Sequence, residues 1–322
     1  MFGSTTHESR KLVDLLFRAN GLYASLEPSI PITPGDYGTV DRETGLFFKE
    51  GNIFDPSFLP YLVQTVRVSK HASGLKSNSE VAGGVLSSTL SPGGRDKGKD
   101  IEVVPLQVDM PQTYSTERKV VMQTEHVRLF DAGLDVSADF LPLASIEFAI
   151  SAKFSRERSL AIILAHSQIK GLLNKAQLRA VLQLPILKGK ALVGEVYECP
   201  GFVLIAHSGN EAEAKIAFGA KMPVAAATGL PVVAGGGPEY EWKVTSSTKL
   251  SREGVNGNFY PLMRLYSCAP HVAAVRLRGK ILRSAEEVEV PLPLFFPPWE
   301  DLDDNGEEID VGDSDDDLDF RI

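Results

Sequence analysis

The sequence has few of the residues and motifs that mark secreted or membrane-anchored proteins. Its 322 residues include only two cysteines, Cys199 and Cys268, and no Asn-x-Ser/Thr glycosylation site. Both features fit the reducing cytosol. The N-terminus shows no signal peptide, and the chain has no apolar run of about 18 residues or more. We therefore expect a cytoplasmic protein without a helical membrane anchor.

The sequence also lacks the common catalytic motifs. It contains no nucleophile elbow, no paired C-x-x-C, no H-E-x-x-H and no dinucleotide-binding glycine motif. The six histidines show no metal-ligand spacing, so we expect no metal and no other cofactor. Cys199 and His207 could form a nucleophile and its base, but a buried structural thiol is the favoured reading of Cys199. We do not expect an enzyme.

Two basic segments suggest phosphate binding only weakly. Gly93 to Asp100 has the glycines and lysine of a phosphate loop, but Asp100 stands where a magnesium-binding Ser or Thr belongs. A solvated loop is favoured. Arg276, Arg278 and Lys280 share one face of a predicted strand from Val272 to Arg283 and have no stacking aromatic residues nearby. We therefore expect no nucleic-acid partner.

What the sequence does contain is a strongly acidic C-terminus. From Trp299 to Ile322 there are twelve acidic residues and one basic residue, so the remaining 298 residues carry a net charge of +2. Such a run predicts a disordered tail outside a folded body spanning residues 1–298. We expect this tail to be regulatory. The acidic residues that would act in it include Glu300, Asp301, Asp303, Asp304, Asp315, Asp316 and Asp317.

The body combines a few helices with many strands. Helical spacing of Leu12, Leu15, Leu16 and Ala19 predicts an amphipathic helix over residues 7–20, and a second helix is expected from Ile169 to Leu184. Alternation predicts strands at Asp135–Phe140, Glu147–Phe154, Glu213–Met222 and Glu239–Thr245. Further strands are expected at Lys190–Tyr197 and Phe202–His207, and short strands in Thr39–Phe54.

These elements predict an α+β fold with a strand-rich, mostly antiparallel twisted sheet and a few packed helices. Lys70 to Asp100 reads as a flexible insertion, and Val288 to Pro298 as a proline-rich exit into the tail. Strands of about ten residues have the length needed to cross a bilayer in a barrel. A sheet half covered by helices gives the same alternation. Both readings remain open on periodicity alone.

The order of segments resembles the pore-forming domain of the gasdermin family, particularly its microbial and fungal members. The resemblance covers most of residues 1–283. It is carried by the basic first helix, GLFFKEGNIFDP, DAGLDVSADFLPLASIEFAISAKFSRERS, a helix, GEVYECPGFVLIAHSGNEAEAKIAFGAKMP and NGNFYPLMRLYS.

The resemblance implies an autoinhibited monomer that, once released, binds acidic lipids, forms a homo-oligomer and inserts a β-barrel into the cell membrane. The inserting hairpins would come from Arg128–Leu164 and Ala191–Val244, and Arg10, Lys11 and Arg18 would contact lipid. A protease could activate the protein. Since only the acidic tail follows the body, inhibition is expected to come from charge.

A second hypothesis is a non-enzymatic β-rich binding or scaffold protein whose acidic tail recruits basic partners. It predicts a static sheet and no dependence on lipid.

Overall fold

Antiparallel strands make up most of the chain, and alternating apolar residues give these strands a buried face. In the computed structural model, the described residues are 6–67, 101–131, 143–155, 159–207, 211–221, 239–246, 250–267, 292–303 and 307–308. They show a strand-rich α+β fold with antiparallel sheets and two α-helices. The predicted fold class is therefore confirmed.

The helices and strands have the following bounds. The helices are α1 (Thr6–Asn20) and α2 (Lys175–Leu182), and short 3₁₀ turns cover Leu59–Leu62 and Pro185–Leu187. The strands are β1 (Tyr23–Ala24), β2 (Asp36–Val40), β3 (Phe47–Asn52), β4 (Val63–Arg67), β5 (Ile101–Pro105), β6 (Gln112–Gln123), β7 (Val127–Asp131), β8 (Leu143–Phe154), β9 (Ser159–Gly171), β10 (Ala191–His207), β11 (Ala212–Lys221), β12 (Tyr240–Ser246) and β13 (Leu250–Ser267).

Seven strands form what we call the main sheet. Its order is β6-β9-β10-β13-β1, and the β2–β3 hairpin joins it beside the start of β10. β10 and β13 pair along nearly their whole length, with register shifts around Cys199. β4 and β5 form a separate two-stranded ribbon. The centre of the main sheet is thus built from β9, β10 and β13.

Four strands form the small sheet, in the order β12-β11-β8-β7. Each of them is joined to a main-sheet strand, β7 to β6, β8 to β9, β11 to β10 and β12 to β13, through a connection of three or four residues. All four connections lie at the same end of the molecule, because Ser159 pairs with His207, Ala206 pairs with Leu250 and Gln123 pairs with Ala161. The small sheet therefore folds back over one face of the main sheet.

β9 shows how the layers pack. Both of its faces are covered, so it reads as a nearly continuous apolar run. One face contributes Leu160, Ile162 and Leu164 to a core shared with α1. The other face contributes Ala161, Ile163 and Ala165 to a core shared with the small sheet. A third core lies under α2.

Several predicted elements are confirmed and two need correction. The alternating segments in β8, β11 and β12 are strands, as are the short segments now seen as β2 and β3. The second helix begins only at Lys175, because Ile169–Gly171 pair with β10 and β6 as part of β9. At its start, the Asn174 side chain accepts a hydrogen bond of 3.1 Å from the backbone N–H of Gln177.

The predicted break between the strands Lys190–Tyr197 and Phe202–His207 is also wrong. β10 runs through it, and the register shifts with β13 accommodate Pro200, which has no N–H to donate. The predicted elements at Asp135–Phe140, Lys70–Asp100 and Val272–Arg283 lie outside the described residues. Within the described ranges, no helix is long and apolar enough to span a membrane.

Candidate functional site

The first helix is covered on two sides. Its apolar residues Leu12, Val13, Leu16 and Phe17 are buried in the core that α1 shares with the main sheet. Ala19, which was predicted to lie on the apolar side of the helix, is exposed. The charged residues Arg10 and Asp14 of the same helix are also only 7% exposed each. A second layer of chain must therefore lie over the outer side of α1.

That layer is the C-terminal part of the chain. We call residues 292–303 and 307–308 the strap. The Ser267 N–H donates to Pro293 O at 2.8 Å, and the Phe295 N–H donates to Leu265 O at 3.0 Å. These bonds lie at the end of β13, next to the residues of β13 that pair with β1. The strap thus begins as an irregular edge strand of the main sheet.

Aromatic and aliphatic side chains of the strap then enter the core. Trp299 and Leu302 are 7% and 6% exposed and belong to the core cluster that contains α1. The Phe296 ring lies 5.4 Å from the Phe17 ring, and the Phe295 ring lies 6.1 Å from the Tyr23 ring. Burial of one large aromatic side chain contributes about 4–6 kcal/mol of transfer free energy.

Polar contacts fix the position of Trp299 over the helix. The Trp299 indole N–H donates to Asp14 Oδ1 at 3.0 Å, while Asp14 Oδ2 accepts from Arg18 Nε at 2.7 Å. Arg18 also pairs with Asp301 at 2.8 Å. The hydrogen bond with Asp14 raises the pKa of Arg18, which remains a cation. Two residues of α1 and two of the strap therefore form a continuous series of contacts.

A second ionic contact lies further along the strap. Glu308 accepts from Arg42 at 2.5 and 3.0 Å and pairs with Arg10 at 3.3 Å. The hydrogen bond from Arg42 lowers the pKa of Glu308. Two hydrogen bonds of 2.8 Å between Asp303 and Glu307 hold Glu308 beside Leu302. Arg42, in the turn after β2, had no role in the sequence-based prediction.

These contacts correct the predicted boundary of the tail. Residues 299–303 and 307–308 pack on the body, and the proline-rich segment before them is an anchored part of the same strap. The tail was predicted to begin as early as Trp299 because a high density of acidic residues concealed two apolar anchors, Trp299 and Leu302. Residues 304–306 and 309–322, including Asp304 and Asp315–Asp317, lie outside the described residues.

The predicted lipid-contacting residues have distinct environments. Arg10 is buried and paired with the strap, and Arg18 is half-exposed and paired with both Asp14 and Asp301. Lys11 is half-buried on the same helix. Of the predicted acidic residues, Asp301 pairs with α1, Asp303 accepts from the Glu307 N–H and Glu300 is exposed. Of the predicted basic and acidic residues, the structure thus brings Arg18 and Asp301 together, whereas Arg10 pairs with Glu308, which was not predicted.

The candidate catalytic pair does not form a site. Cys199 is buried, and burial raises the pKa of its thiol to about 12, which keeps it protonated. His207 lies eight residues further along the same extended strand, roughly 25 Å away, and its ring contacts Phe154. Among the described residues, no group of His, Cys, Asp and Glu side chains could hold a metal ion.

Comparison with known proteins identifies no relative: no protein family matches the sequence, and no curated protein matches it significantly.

Proposed function

We propose that this chain is an autoinhibited pore-forming protein of the gasdermin kind. In its inactive state the strap holds α1 against the body in the cytoplasm. After release of the strap, α1 binds acidic lipids at the cell membrane, copies of the chain oligomerise, and strands of the small sheet insert as part of a β-barrel. The observation that supports the proposal most is the pairing of Arg10 and Arg18 with strap carboxylates.

The charge distribution favours this reading over a scaffold. The C-terminal acids are not spread freely around the body, since Asp301 and Glu308 lie within 2.8 and 3.3 Å of two arginine side chains. Removal of the strap leaves a body that is no longer acidic overall. Anionic lipid headgroups would then replace the strap carboxylates as partners of the same cations.

The strap contributes more than charge to the inactive state. Surface ion pairs contribute roughly 0–1 kcal/mol each, whereas the burial of Trp299 contributes several times as much. The expectation that inhibition arises from charge alone is therefore replaced by a proposal with two parts. Trp299 and Leu302 attach the strap, and Asp301 and Glu308 neutralise the cations beneath it.

The strands needed for insertion lie in the two predicted hairpin regions. Arg128–Leu164 contains most of β7, β8 and the start of β9, and Ala191–Val244 contains β10, β11 and most of β12. The short connections between β8 and β9 and between β10 and β11 would allow each pair to become one long hairpin. Hairpin backbones must pair with those of neighbouring copies in lipid, so insertion requires assembly.

Dye release from liposomes tests the proposal. Three proteins are compared on vesicles with and without acidic lipid: the full chain, a chain ending at residue 308, which keeps the strap, and a chain ending at residue 291, which lacks it. We expect release only from the chain ending at 291, and only with acidic lipid. Arg10→Gln with Arg18→Gln in that chain should reduce the release.

Each alternative outcome has a definite meaning. No release from any of the three proteins on either vesicle contradicts pore formation and favours the scaffold hypothesis. Equal release from the full chain and the chain ending at 291 contradicts inhibition by the strap. A protease could supply the natural signal by cutting between the body and the strap. Cleavage there without oligomerisation would count against that route.

A further inference from the structure

Two residues of the main sheet have an unusual backbone conformation. Among the described non-glycine residues, only His166 and Asn256 have positive φ, at 47° and 58°. This left-handed conformation is uncommon for residues with a Cβ atom, and a residue that adopts it within a strand changes the direction of its side chain.

His166 and Asn256 lie at the same level of the main sheet. Gly201 of β10 pairs with Ala165 of β9 on one side and with Val255 of β13 on the other. Each unusual residue immediately follows one of these partners in sequence. The irregularities therefore lie on either side of β10 and mark a line across the centre of the sheet.

Both side chains contact the small sheet. His166 Nε2 lies 2.7 Å from Glu147 Oε2 on β8. Asn256 Oδ1 accepts from the Tyr240 N–H at 2.9 Å, and Asn256 Nδ2 donates to Tyr240 O at 2.9 Å, at the start of β12. Asn256 thus bonds to the Tyr240 backbone as a neighbouring strand would, although β12 and β13 belong to different sheets.

Neighbouring groups complete these two contacts. Arg118 of β6 donates to Glu147 O at 2.8 Å and lies 3.9 Å from the Glu147 carboxylate. The Tyr240 ring lies 5.7 Å from the His166 ring. Beside Asn256, the Trp242 indole N–H donates to Gly254 O at 3.1 Å. Several contacts between the two sheets are therefore concentrated at this level.

The location of these contacts gives them a mechanical role. The connections between the sheets lie at the end of β9 that begins with Ser159, and His166 is seven residues further along, about 20–25 Å away. Asn256 is a similar distance from the start of β13. The small sheet is thus covalently joined to the main sheet at one end and held by side chains towards the other.

We infer that His166 with Glu147, and Asn256 with Tyr240, form a latch that holds the unconnected end of the small sheet on the main sheet. Opening of the latch lets the strands of the small sheet separate from the main sheet while the four short connections stay intact. The role of the latch in insertion rests on the proposed function, in which it keeps the inserting strands folded back on the main sheet. The latch itself is a property of the fold and can be tested without a membrane.

Hydrogen exchange followed by mass spectrometry tests the latch in the full chain. His166→Asn shortens the side chain so that it no longer reaches Glu147, and Asn256→Gly removes the bonds to Tyr240. Asn and Gly both tolerate positive φ, so the backbone is retained. We expect exchange in β8 and β12 to become faster by on the order of tenfold, with exchange in β10 unchanged.

A matched control removes a similar contact inside the main sheet. Lys170 of β9 pairs with Glu198 of β10, so Lys170→Met removes an ion pair without affecting the contact between the sheets. We expect this variant to leave exchange in the small sheet at the wild-type rate. Circular dichroism is used to check that each variant is folded.

Two results would overturn the latch. One is hydrogen exchange at the wild-type rate in the small sheet of both variants, His166→Asn and Asn256→Gly. The other is an equal increase in both sheets, which would mean a general loss of stability. Neither depends on dye release, so failure of the latch and failure of pore formation are distinguishable.

Discussion

Gly45 and Trp299 have complementary shapes. A Cβ atom at position 45 would lie 3.2 Å from Trp299 Cη2 and equally close to Val13 Cγ2. Gly45 lies in the turn between β2 and β3 and has a φ of +75°, which favours glycine. The turn, α1 and the strap therefore meet at one point, and the absence of a side chain at position 45 leaves room for the Trp299 ring.

Gly45→Ala is expected to loosen the strap. The new methyl group meets the Trp299 ring and Val13, and alanine is strained at this φ. Together these effects should lower the free energy of unfolding by about 2–3 kcal/mol and increase hydrogen exchange in residues 292–303. Gly189→Ala is the matched control, because Gly189 has a φ of +76° and no atom within 4 Å of the added Cβ. If both variants behave alike, the contact with Trp299 has no measurable effect.

Trp299→Ala should destabilise the attachment of the strap more than Arg18→Gln does. The first change removes a buried aromatic ring, worth about 3–5 kcal/mol, whereas the second removes partly exposed ion pairs worth about 1 kcal/mol or less. Limited proteolysis of the strap measures the difference, with the rate of cleavage near residue 299 as the readout. A faster cleavage of Arg18→Gln than of Trp299→Ala would show that charge is the main attachment.

Substitution of Asp36, the first residue of β2, is expected to lower the stability of the fold strongly. Asp36 is fully buried, accepts from the Thr33 N–H at 2.8 Å and from Asn52 Nδ2 at 2.6 Å, and pairs with Lys49 at 2.8 Å. Asp36→Ala leaves these donors without their acceptor and should lower the free energy of unfolding by about 3–5 kcal/mol.

The control for Asp36 is Asp55→Ala, measured in the same urea denaturation experiment. Asp55 is exposed, and its side chain accepts one backbone hydrogen bond, from the Asn52 N–H at 3.0 Å. Its loss should lower the free energy of unfolding by about 1 kcal/mol or less. Equal effects of the two substitutions would contradict the special role of Asp36.

The ionic end of the strap should weaken in acid. The bond from Arg42 holds the pKa of Glu308 below its ordinary value of 4.5, so the native state favours the ionised carboxylate. The resulting stabilisation is complete above that value and is lost as the pH falls through the lowered native pKa. The difference in unfolding free energy between wild type and Glu308→Gln should therefore shrink from about pH 6 to about pH 3. A constant difference across this range would exclude the linkage.

The strands and α1 were predictable because their signal is local. The apolar residues of β8 and β11 alternate with small or polar ones, and helical spacing of Leu12 and Leu16 marks α1. The start of the second helix was misplaced because Ile169–Gly171, the end of β9, contains only one large apolar residue and so shows no alternation. Without alternation, its sequence is indistinguishable from the helix that follows.

The strap was not predictable from composition. Acidic residues dominate the sequence after Trp299, and burial of this side chain depends on Gly45 and Val13, which lie more than 250 residues earlier in the chain. The latch has only a faint signal: Asn256-Gly257 would ordinarily indicate a turn, yet it lies inside β13. Nothing local distinguishes His166, because its conformation reflects the pairing of β9 with its neighbours.

The two tryptophans of this protein lie in the strap and in the small sheet, the two parts of the fold that we propose to move. Trp299 is buried in the strap, and Trp242 is buried in the small sheet beside Asn256. Intrinsic fluorescence therefore contains one natural probe for each event. With Trp242→Phe or Trp299→Phe, the red shift of the remaining indole would time strap release and small-sheet separation independently, and would establish which of the two comes first.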